Sequence, residues 1–425
     1  MNRTLRTPAL GLAVLFASLL PRPARAQEPA PRATGPWNVA ALLASPPKAT
    51  WGAPTGLVRE VYYEGELLDS KPTRVFAYYA RPATGDGPFP AMVLVHGGGG
   101  TAFREWAELW AKRGYAAIAM DLAGHGPDGK RLADGAPDQD DESKFRDFSD
   151  REVRRMWTYH AVADVLHAHA LIAARPEVDR NRIGVTGISW GGYLTCIVAG
   201  IDDRLKVAVP VYGCGFLQDD SAWLPRFARM SPEQKDRWVK FFDPSRYLAG
   251  VSCPILFVNG TNDFAYPLGS YQKSYRLVTK APRTLCVTVK MPHGHYEGWA
   301  PREIGLFVDS VLTGGKPLVT VGTLKVEKGK VSTTFCSDVP VVSAKVHCTT
   351  GTGPWQPRDW TTRDATIIIT TDLPAGGIRD SATRAATGRI TADLPSGPIT
   401  AVFLTLTDQR GARVSTEHVE PSARP

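Results

Sequence analysis

Residues 182–194 read RIGVTGISWGGYL, and they predict a strand that turns directly into a helix. The apolar run Ile183–Ile188 is typical of a short buried strand, and Gly191–Ala199 has the small residues of a closely packed helix. A turn this tight crowds the positions two before and two after Ser189, and glycine, which lacks a Cβ, occupies both. The sequence therefore predicts that Ser189 projects from the apex of the turn, where a substrate can reach it.

Strand-like apolar runs alternate with helical patterns on both sides of this turn. The predicted strands are Val58–Tyr63, Arg74–Ala80, Pro90–Val95, Ala116–Asp121, Arg182–Ile188, Leu205–Val211, Pro254–Asn259 and Leu285–Lys290. The predicted helices are Glu105–Arg113, Arg151–Ala174, Gly191–Ala199, Tyr271–Val278 and Pro301–Leu312. This order predicts an α/β fold, a doubly wound and mostly parallel sheet with helices on both faces.

Two insertions, residues 122–150 and 214–250, interrupt the alternation. The first is rich in Gly and Asp, and the second combines polar with aromatic residues. Insertions at the rim of such a sheet are common material for lids, although they also occur as surface decoration. Aromatic faces suit sugar rings or aryl esters, but we expect most of these side chains to pack internally. The aromatic residues concerned are Trp223, Trp238, Phe241, Phe242 and, after the last predicted strand, Trp299.

The character of the sequence changes near Val319, where Thr-, Val- and Ile-rich segments are separated by Gly, Pro and Asp. Regular short strands without helices predict an all-β sandwich module. The chain is also too long for one hydrophobic core, so we expect two domains. Residues 58–316 would form the α/β domain and residues 319–425 the accessory domain, with residues 27–57 as a lead segment.

The N-terminus, residues 1–26, has the pattern of a cleavable secretory signal peptide. Arg3 and Arg6 precede the apolar run Ala9–Leu20, which is too short for a comfortable membrane span, and Ala24-Arg25-Ala26 resembles a cleavage site. We therefore expect a secreted or periplasmic protein with no membrane span after cleavage. The segment holds four arginines and no acidic residue, so its removal lowers the formal net charge from +8 to +4. Without a clustered Lys/Arg stripe, nucleic acid is not an expected partner.

A nucleophilic serine needs a base, an orienting acid and donors for an oxyanion, and in a sheet of this kind these groups come from the carboxyl ends of different strands. Asp263 follows the strand Pro254–Asn259, after the serine and before the last histidines, as the order Ser, Asp, His requires. His96 is followed by four glycines whose N–H groups are unshielded. Gly98 or Gly99, with the N–H of Trp190, would complete an oxyanion hole. A phosphate-binding loop is disfavoured because no GK[ST] sequence follows the glycines.

Two histidines, His293 and His295, compete for the role of general base. The last predicted strand ends in Met-Pro-His-Gly-His, and extended residues two apart project on the same side. We expect His295 to be the base, because the longer loop gives it reach, and His293 to be the alternative base or a supporting residue. His125 precedes the serine, and His167 and His169 lie on a predicted helix. A metal site is not expected, since no third ligand with clear spacing is present.

The six cysteines show no CxxC pair and no pattern of a small disulfide scaffold. Cys336 and Cys348 lie in neighbouring predicted strands and could form a disulfide in an oxidising compartment. Buried free thiols are the alternative.

In chain order, these motifs resemble the α/β-hydrolase superfamily, and in particular its prolyl oligopeptidase, dienelactone hydrolase and acetyl xylan esterase branch. The resemblance covers about residues 58–312. It is carried by HGGGG (96–100), VDRNRIGVTGISWGG (178–192), DPSRYL (243–248), PILFVNGTND (254–263) and PHGH (292–295).

The resemblance implies a serine hydrolase in which Ser189, Asp263 and His295 act as nucleophile, acid and base. It implies no cofactor, and a small-molecule or polysaccharide ester as the substrate. The absence of a long N-terminal propeller favours an esterase over an oligopeptidase-type peptidase. A non-catalytic surface protein that binds carbohydrate or a partner is the third hypothesis. The sequence does not indicate an oligomeric state.

Overall fold

The strand that ends at Ile188 lies near the middle of a nine-stranded sheet. The structure, a computed structural model, describes residues 33–371 and 386–421, so the predicted signal peptide lies outside the described residues. The strands of this sheet are β1 (Ala49–Trp51), β2 (Val58–Glu64), β3 (Arg74–Ala80), β4 (Phe89–Val95), β5 (Ala116–Met120), β6 (Val178–Ile188), β7 (Val207–Val211), β8 (Ile255–Gly260) and β9 (Arg283–Thr288). Their order across the sheet is β1-β2-β3-β5-β4-β6-β7-β8-β9.

Six strands of this sheet, β4 to β9, are parallel, and the first three pair antiparallel at one edge. Strands β5, β7 and β8 are buried along their whole length. A parallel strand buried in this way is covered on both faces of the sheet. Neither set of its alternating side chains faces solvent, so no position along it favours a polar residue. This is why the sequence shows continuous apolar runs, and the predicted fold class is confirmed.

The helices connect the strands and pack on the sheet. They are α1 (Val39–Ala44), α2 (Arg104–Lys112), α3 (Asp141–Phe145), α4 (Trp157–Ala173), α5 (Trp190–Ile201), α6 (Leu224–Phe227), α7 (Pro232–Phe242), α8 (Leu268–Leu277), α9 (His295–Trp299) and α10 (Arg302–Leu312). Among the residues that the structure describes, no helix has both the length and the apolar character needed to cross a bilayer.

The two insertions pack against each other through an aromatic core and an ionic rim. The Phe145 and Trp238 rings stack at 5.4 Å, and the Trp238 indole donates to the carbonyl of Lys144 at 2.8 Å. Around them, basic side chains of the second insertion pair with acidic ones of the first, as in the Arg226–Asp141 contact at 2.8 Å. Asp141, Asp147 and Asp150 of the first insertion therefore have basic partners in the second.

The C-terminal strands form two antiparallel sheets, as the change in sequence character predicts. They are β10 (Thr320–Val321), β11 (Lys325–Glu327), β12 (Lys330–Ser337), β13 (Val341–Thr349), β14 (Thr361–Asp364), β15 (Thr366–Thr371), β16 (Ala386–Asp393), β17 (Ala401–Asp408) and β18 (Arg413–Ser415). One sheet has the order β10-β12-β16-β15 with β11 beside β12, and the other has the order β14-β13-β17-β18. We refer to residues 320–421 as the C-terminal β region.

The C-terminal β region is closely joined to the large sheet. The Ser415 hydroxyl accepts from the Val287 N–H at 2.9 Å, so β18 lies directly beside β9. Glu303 on α10, which is 1% exposed, accepts from the N–H of Arg413 at 2.8 Å. Since the described residues form one compact unit, the division into domains at residues 316–319 stays a prediction.

The cysteine alternatives are resolved in favour of free thiols. All six cysteines lie within residues 33–371, and none forms a disulfide. Cys336 is on β12 and Cys348 on β13, strands that belong to different sheets. Cys348 is buried, whereas Cys336 is exposed. Alternate residues of β12 face opposite sides of the sheet, and Cys336 lies on the exposed side between buried Phe335 and Ser337.

Candidate active site

Ser189 lies at the apex of the turn from β6 to α5, as predicted. Its backbone has φ 59° and ψ −119°, a conformation that L residues rarely adopt outside functional sites. A Cβ added to Gly187 would lie 2.2 Å from the carbonyl of Gly191, and one added to Gly191 would lie 2.0 Å from the carbonyl of Val95. The prediction that both flanking positions need glycine is confirmed.

His293, and not His295, lies between Ser189 and Asp263. The Ser189 Oγ is 2.9 Å from His293 Nε2, and His293 Nδ1 is 2.6 Å from Asp263 Oδ2. In this arrangement the serine hydroxyl donates to the imidazole, and the imidazole N–H donates to the carboxylate. The three residues follow the ends of β6, β8 and β9, parallel strands of the same sheet in which β7 separates β6 from β8.

The expectation that His295 contacts Ser189 is wrong, and a helix is the reason. The extended backbone continues only to Gly294, with φ −163°, and His295 is the first residue of α9. Because the chain coils at this point, the two imidazoles do not share a side. The N–H of Gly97 donates to His295 Nε2 at 3.0 Å. His295 therefore lies against the turn formed by residues 97–100, which we call the glycine turn.

His295 is held there as a neutral imidazole. Its Nε2 can accept the Gly97 hydrogen bond only when it carries no proton. Burial, with a further contribution from neighbouring His96, lowers the pKa of His295 to about 4. This side chain is therefore suited to supporting the turn and poorly suited to taking up a proton near pH 7.

The glycine turn lies beside Ser189 and Trp190. A Cβ added to Gly97 would lie 2.9 Å from the Ser189 Cβ, and one added to Gly98 would lie 2.9 Å from Trp190 Cδ1. Within residues 33–371, the backbone N–H groups of Gly98 and Trp190 have no hydrogen-bond partner. Gly99 is at the tip of the turn, with φ +67° and open space around its Cβ position. Of the predicted oxyanion residues, Gly98 and Trp190 lie together and Gly99 lies further out.

His96 fixes the start of the glycine turn. It is 1% exposed, its Nδ1 lies 2.7 Å from the carbonyl of Gly97, and its Nε2 accepts from the N–H of Leu122 at 2.8 Å. Both ring nitrogens are thus used within the protein, which requires the neutral form. Burial accordingly lowers the pKa of His96.

Asp263 is buried and fully hydrogen-bonded. It is 1% exposed, and its Oδ1 accepts from the N–H groups of Ala265 and Tyr266 at 2.9 and 2.8 Å. Its other oxygen is the one that faces His293. A buried carboxylate needs partners of this kind to remain charged, and they also leave it one orientation.

Two aromatic residues that sequence reasoning missed enclose His293. The Tyr212 ring stacks on the imidazole at 4.3 Å, and the Tyr212 hydroxyl donates to the carbonyl of Pro292 at 2.7 Å. Phe264, which is 59% exposed, lies 4.9 Å from the imidazole. Tyr212 directly follows β7 and has φ +63°, so its position at a strand end was the signal that could have identified it.

The side chain of Trp190 is packed among aromatic residues of the core and of the second insertion. Trp223 lies 4.5 Å from it, and Tyr193 lies 4.9 Å from it. The Lys144 ammonium lies 4.6 Å above the same indole, and burial lowers the pKa of this lysine. The expectation that most aromatic residues of the insertions are packing residues is confirmed, since Trp238, Phe241 and Phe242 contact other aromatic rings.

The remaining candidate histidines lie elsewhere. His125 pairs with Asp138 at 3.7 Å, and His169, buried on α4, bonds Asp202 at 2.6 Å. His167, on the same helix, lies 3.8 Å from Glu66. Among residues 33–371 and 386–421, no group of three or more His, Cys, Asp or Glu side chains is arranged to hold a metal ion.

Known proteins with similar sequences and folds include esterases. A sequence model of the acetyl xylan esterase family (AXE1) matches residues 48–248. The "Putative carboxymethylenebutenolidase" of Salmonella typhimurium is 32% identical over 221 residues, 52% of this chain and 72% of the relative. Acetyl esterase Axe7A of Xylanibacter ruminicola is 22% identical over 228 residues, 50% of this chain, and the match spans only 51% of that protein.

Among solved structures, the acetyl xylan esterase from Paenibacillus sp. R4 has the same fold over much of its length. It superposes with a TM-score of 0.52 at 22% identity, and the match covers 65% of this chain and 92% of that one. The match therefore covers nearly all of that esterase and leaves part of this chain unmatched.

Proposed function

Because this chain belongs to the α/β-hydrolase superfamily, in its dienelactone hydrolase and acetyl xylan esterase branch, we propose that it is a serine hydrolase that cleaves carboxylic esters through an acyl-enzyme intermediate. The observation that carries the proposal is the chain of contacts from Ser189 through His293 to Asp263, with 2.9 and 2.6 Å between the polar atoms. A serine hydroxyl is a weak nucleophile until a base within hydrogen-bond reach removes its proton.

In the proposed reaction, His293 Nε2 takes the hydroxyl proton as Ser189 Oγ attacks the carbonyl carbon of the ester. Asp263 holds the Nδ1–H side of the ring, so that Nε2 faces the serine and the imidazolium that forms is stabilised. The proton then passes from Nε2 to the leaving alkoxide, the C–O bond breaks, and the acyl group remains on Ser189. A water molecule, activated by the same imidazole, releases the carboxylic acid and restores the serine.

The negative charge of the tetrahedral intermediate requires donors that are in place before the reaction. We assign this role to the N–H groups of Trp190 and Gly98, which have no hydrogen-bond partner within residues 33–371 and belong to residues that lie together, since a Cβ on Gly98 would lie 2.9 Å from Trp190 Cδ1. An oxyanion donor of this kind typically lowers the barrier by about 3–4 kcal/mol. The Gly97 N–H does not qualify, because it already donates to His295.

The substrate class proposed is a short-chain ester, in particular an acetyl ester of a polysaccharide. The support is the match to the acetyl xylan esterase family and the likeness to Axe7A, each of which covers about half of this chain. We also propose that the protein is exported, since residues 1–26 have the composition of a cleaved signal peptide.

Covalent labelling with a fluorophosphonate tests the proposal. We expect the protein recovered from its host's medium or periplasm to gain one phosphonyl group, located on Ser189, with an intact mass that corresponds to a start at Gln27. Ser189→Ala, which removes only the hydroxyl, should fold and not label. Rates on p-nitrophenyl acetate, longer acyl esters, acetylated xylan and a Pro- or Ala-anilide then define the substrate.

A dominant rate on the anilides would replace the esterase proposal by a peptidase. Folded wild-type protein that neither labels nor hydrolyses any of these substrates would overturn the proposal.

A further inference from the structure

A loop of the C-terminal β region reaches the segment that carries the proposed acid. Residues 350–360 connect β13 to β14, and they extend away from their own sheet to the end of β8. The Asn262 Nδ2 donates to the carbonyls of Gln356 and Arg358 at 2.8 and 2.6 Å. Asn262 immediately precedes Asp263, so the chain next to the acid is held by a segment more than 90 residues further along.

The orientation of the Asn262 amide is fixed from its other side. Its Oδ1 accepts from the Thr261 hydroxyl at 2.5 Å, which leaves the nitrogen to face the loop. The same Thr261 oxygen accepts from the N–H of Lys290 at 3.0 Å. Lys290 is three residues before His293. Thr261 and Asn262 therefore join three parts of the chain in one network: residues 261–263 (the acid segment), residues 290–293 (the histidine segment) and the loop 350–360.

The loop also contacts the histidine segment directly. The Lys290 ammonium pairs with Asp359 at 2.9 Å. The lysine and aspartate side chains are 58% and 93% exposed, so this pair adds little free energy by itself. It shows instead that residues 356–359 lie across both segments at the rim of the sheet.

The loop is itself held in place by packing and hydrogen bonds, as a support must be. Trp355 is 6% exposed and packs against Gly269 at the start of α8, where a Cβ would lie 3.2 Å from the indole nitrogen. The Arg358 guanidinium lies 3.8 Å above the Trp355 ring and donates to the carbonyl of Gly353 at 2.6 Å. His418 packs edge-on against the same indole at 4.8 Å.

From these contacts we propose that residues 355–360, acting through Asn262, position the acid and the base for catalysis. The inference rests on the proposed function, since it assigns a role within that site. Asn262 is a positioning residue, because its amide faces the loop and not the reacting atoms. A displacement of about 1 Å in a catalytic group can cost up to about 100-fold in rate. It follows that the C-terminal β region is part of the catalytic unit and not a freely tethered accessory.

Asn262→Ala tests this inference, with Gln272→Ala as its matched control. Gln272 on α8 also makes two amide hydrogen bonds to the C-terminal β region, at 3.1 and 2.8 Å to His418, but it does not contact the acid or histidine segment. Each variant therefore loses two comparable bonds between the same two parts of the molecule. Active sites are counted from complete fluorophosphonate labelling, and kcat and KM for p-nitrophenyl acetate are expressed per labelled site.

We expect Asn262→Ala to lower kcat about tenfold with KM within about twofold, because the misplaced pair fails in the transition state rather than in binding. The rate of fluorophosphonate labelling should fall by a similar factor. Gln272→Ala should keep the wild-type kcat per site even if its thermal stability falls as far. Asn262→Ser, which keeps one hydroxyl donor, is the second variant and should have an intermediate kcat.

Equal kcat per site for Asn262→Ala and Gln272→Ala would overturn the inference, and so would a kcat per site for Asn262→Ala equal to that of the wild type. A wild-type protein that neither labels nor turns over the ester is a different result. It would remove the proposed function itself, so the two failures are distinguishable.

Discussion

The two halves of the candidate site are held in place by different means. The nucleophile half, Ser189 with its glycines, is fixed by close approach of backbone to backbone, as between Gly191 and the carbonyl of Val95. The acid–base half, Asp263 and His293, depends on side-chain contacts between distant segments, notably those of Tyr212 with His293 and of Asn262 with the loop 350–360. Steric crowding at a turn leaves a glycine at a fixed spacing in the sequence. A hydrogen bond across more than 90 residues leaves no such pattern, which is why the glycines around Ser189 were predictable and the contacts that hold Asp263 and His293 in place were not.

The largest expected effect distinguishes the two histidines of the acid–base half. His293→Ala should lower kcat by about 10²- to 10⁴-fold, which is the usual contribution of a general base. His295→Ala removes the acceptor of the Gly97 N–H and a ring contact with Phe103 but no group that contacts Ser189, and we expect about tenfold or less, since one ordinary hydrogen bond contributes about 0.5–1.5 kcal/mol. The measurement is kcat for p-nitrophenyl acetate. It is expressed per labelled site for the wild type and per folded molecule for the two variants.

The result that would contradict the structure is the reverse order. A larger loss of kcat for His295→Ala than for His293→Ala would mean that His295 is the base during turnover. Circular dichroism of both variants serves as the control for folding.

The misassignment of the base has a local physical cause. Five residues form α9, and its N-cap is Gly294, whose backbone makes the turn without any side-chain capping bond. A sequence without Ser, Thr, Asp or Asn at the cap and with so short a helix carries no recognisable start signal. The same limit applies to the long predicted helix Arg151–Ala174, which begins at Trp157 because Met156 is extended.

By contrast, the sequence was sufficient for most strands of the large sheet and for its mostly parallel character, because buried parallel strands are continuous apolar runs. It was also sufficient for Ser189 and Asp263, because a strand end is a specific place in such a run. It was not sufficient for the reach of residues 350–360, since nothing in their composition indicates that they leave the C-terminal β region to meet Asn262.

A smaller effect is expected at Tyr212, which supports the acid–base half from the end of β7. Tyr212→Phe keeps the ring 4.3 Å from His293 and loses only the hydrogen bond to Pro292, so kcat should fall by no more than about tenfold. Tyr212→Leu also loses the ring, and a stacked pair adds about 0.5–1.5 kcal/mol, which predicts a further loss of up to about tenfold. The measurement is kcat for p-nitrophenyl acetate in wild type and both variants.

These two variants are matched because both place a Cβ-bearing residue at φ +63°, so backbone strain cancels between them. A kcat for Tyr212→Leu equal to that of Tyr212→Phe would show that the stacked ring does not position His293. The acid–base half would then depend on backbone contacts, as the nucleophile half does.

The smallest expected effect concerns the boundary between the two halves, where His295 supports the glycine turn. The pKa of His295 is lowered from its ordinary 6.5 to about 4, mainly by burial, so between these values the unfolded chain binds the proton and the folded chain does not. Stability therefore falls as the pH decreases from about 6.5 towards 4. Gln in place of His295 can accept the Gly97 N–H and has no proton to gain, so Tm of His295→Gln should fall less steeply over this range.

His347, buried in the C-terminal β region with a pKa also lowered to about 4, provides the control. His347→Gln should flatten the Tm profile in the same way while leaving kcat unchanged, whereas His295→Gln should alter both. If Tm of wild type and His295→Gln run parallel from pH 7 to 4.5, the neutral imidazole against Gly97 is not what holds the turn, and the nucleophile half is fixed by its glycines alone.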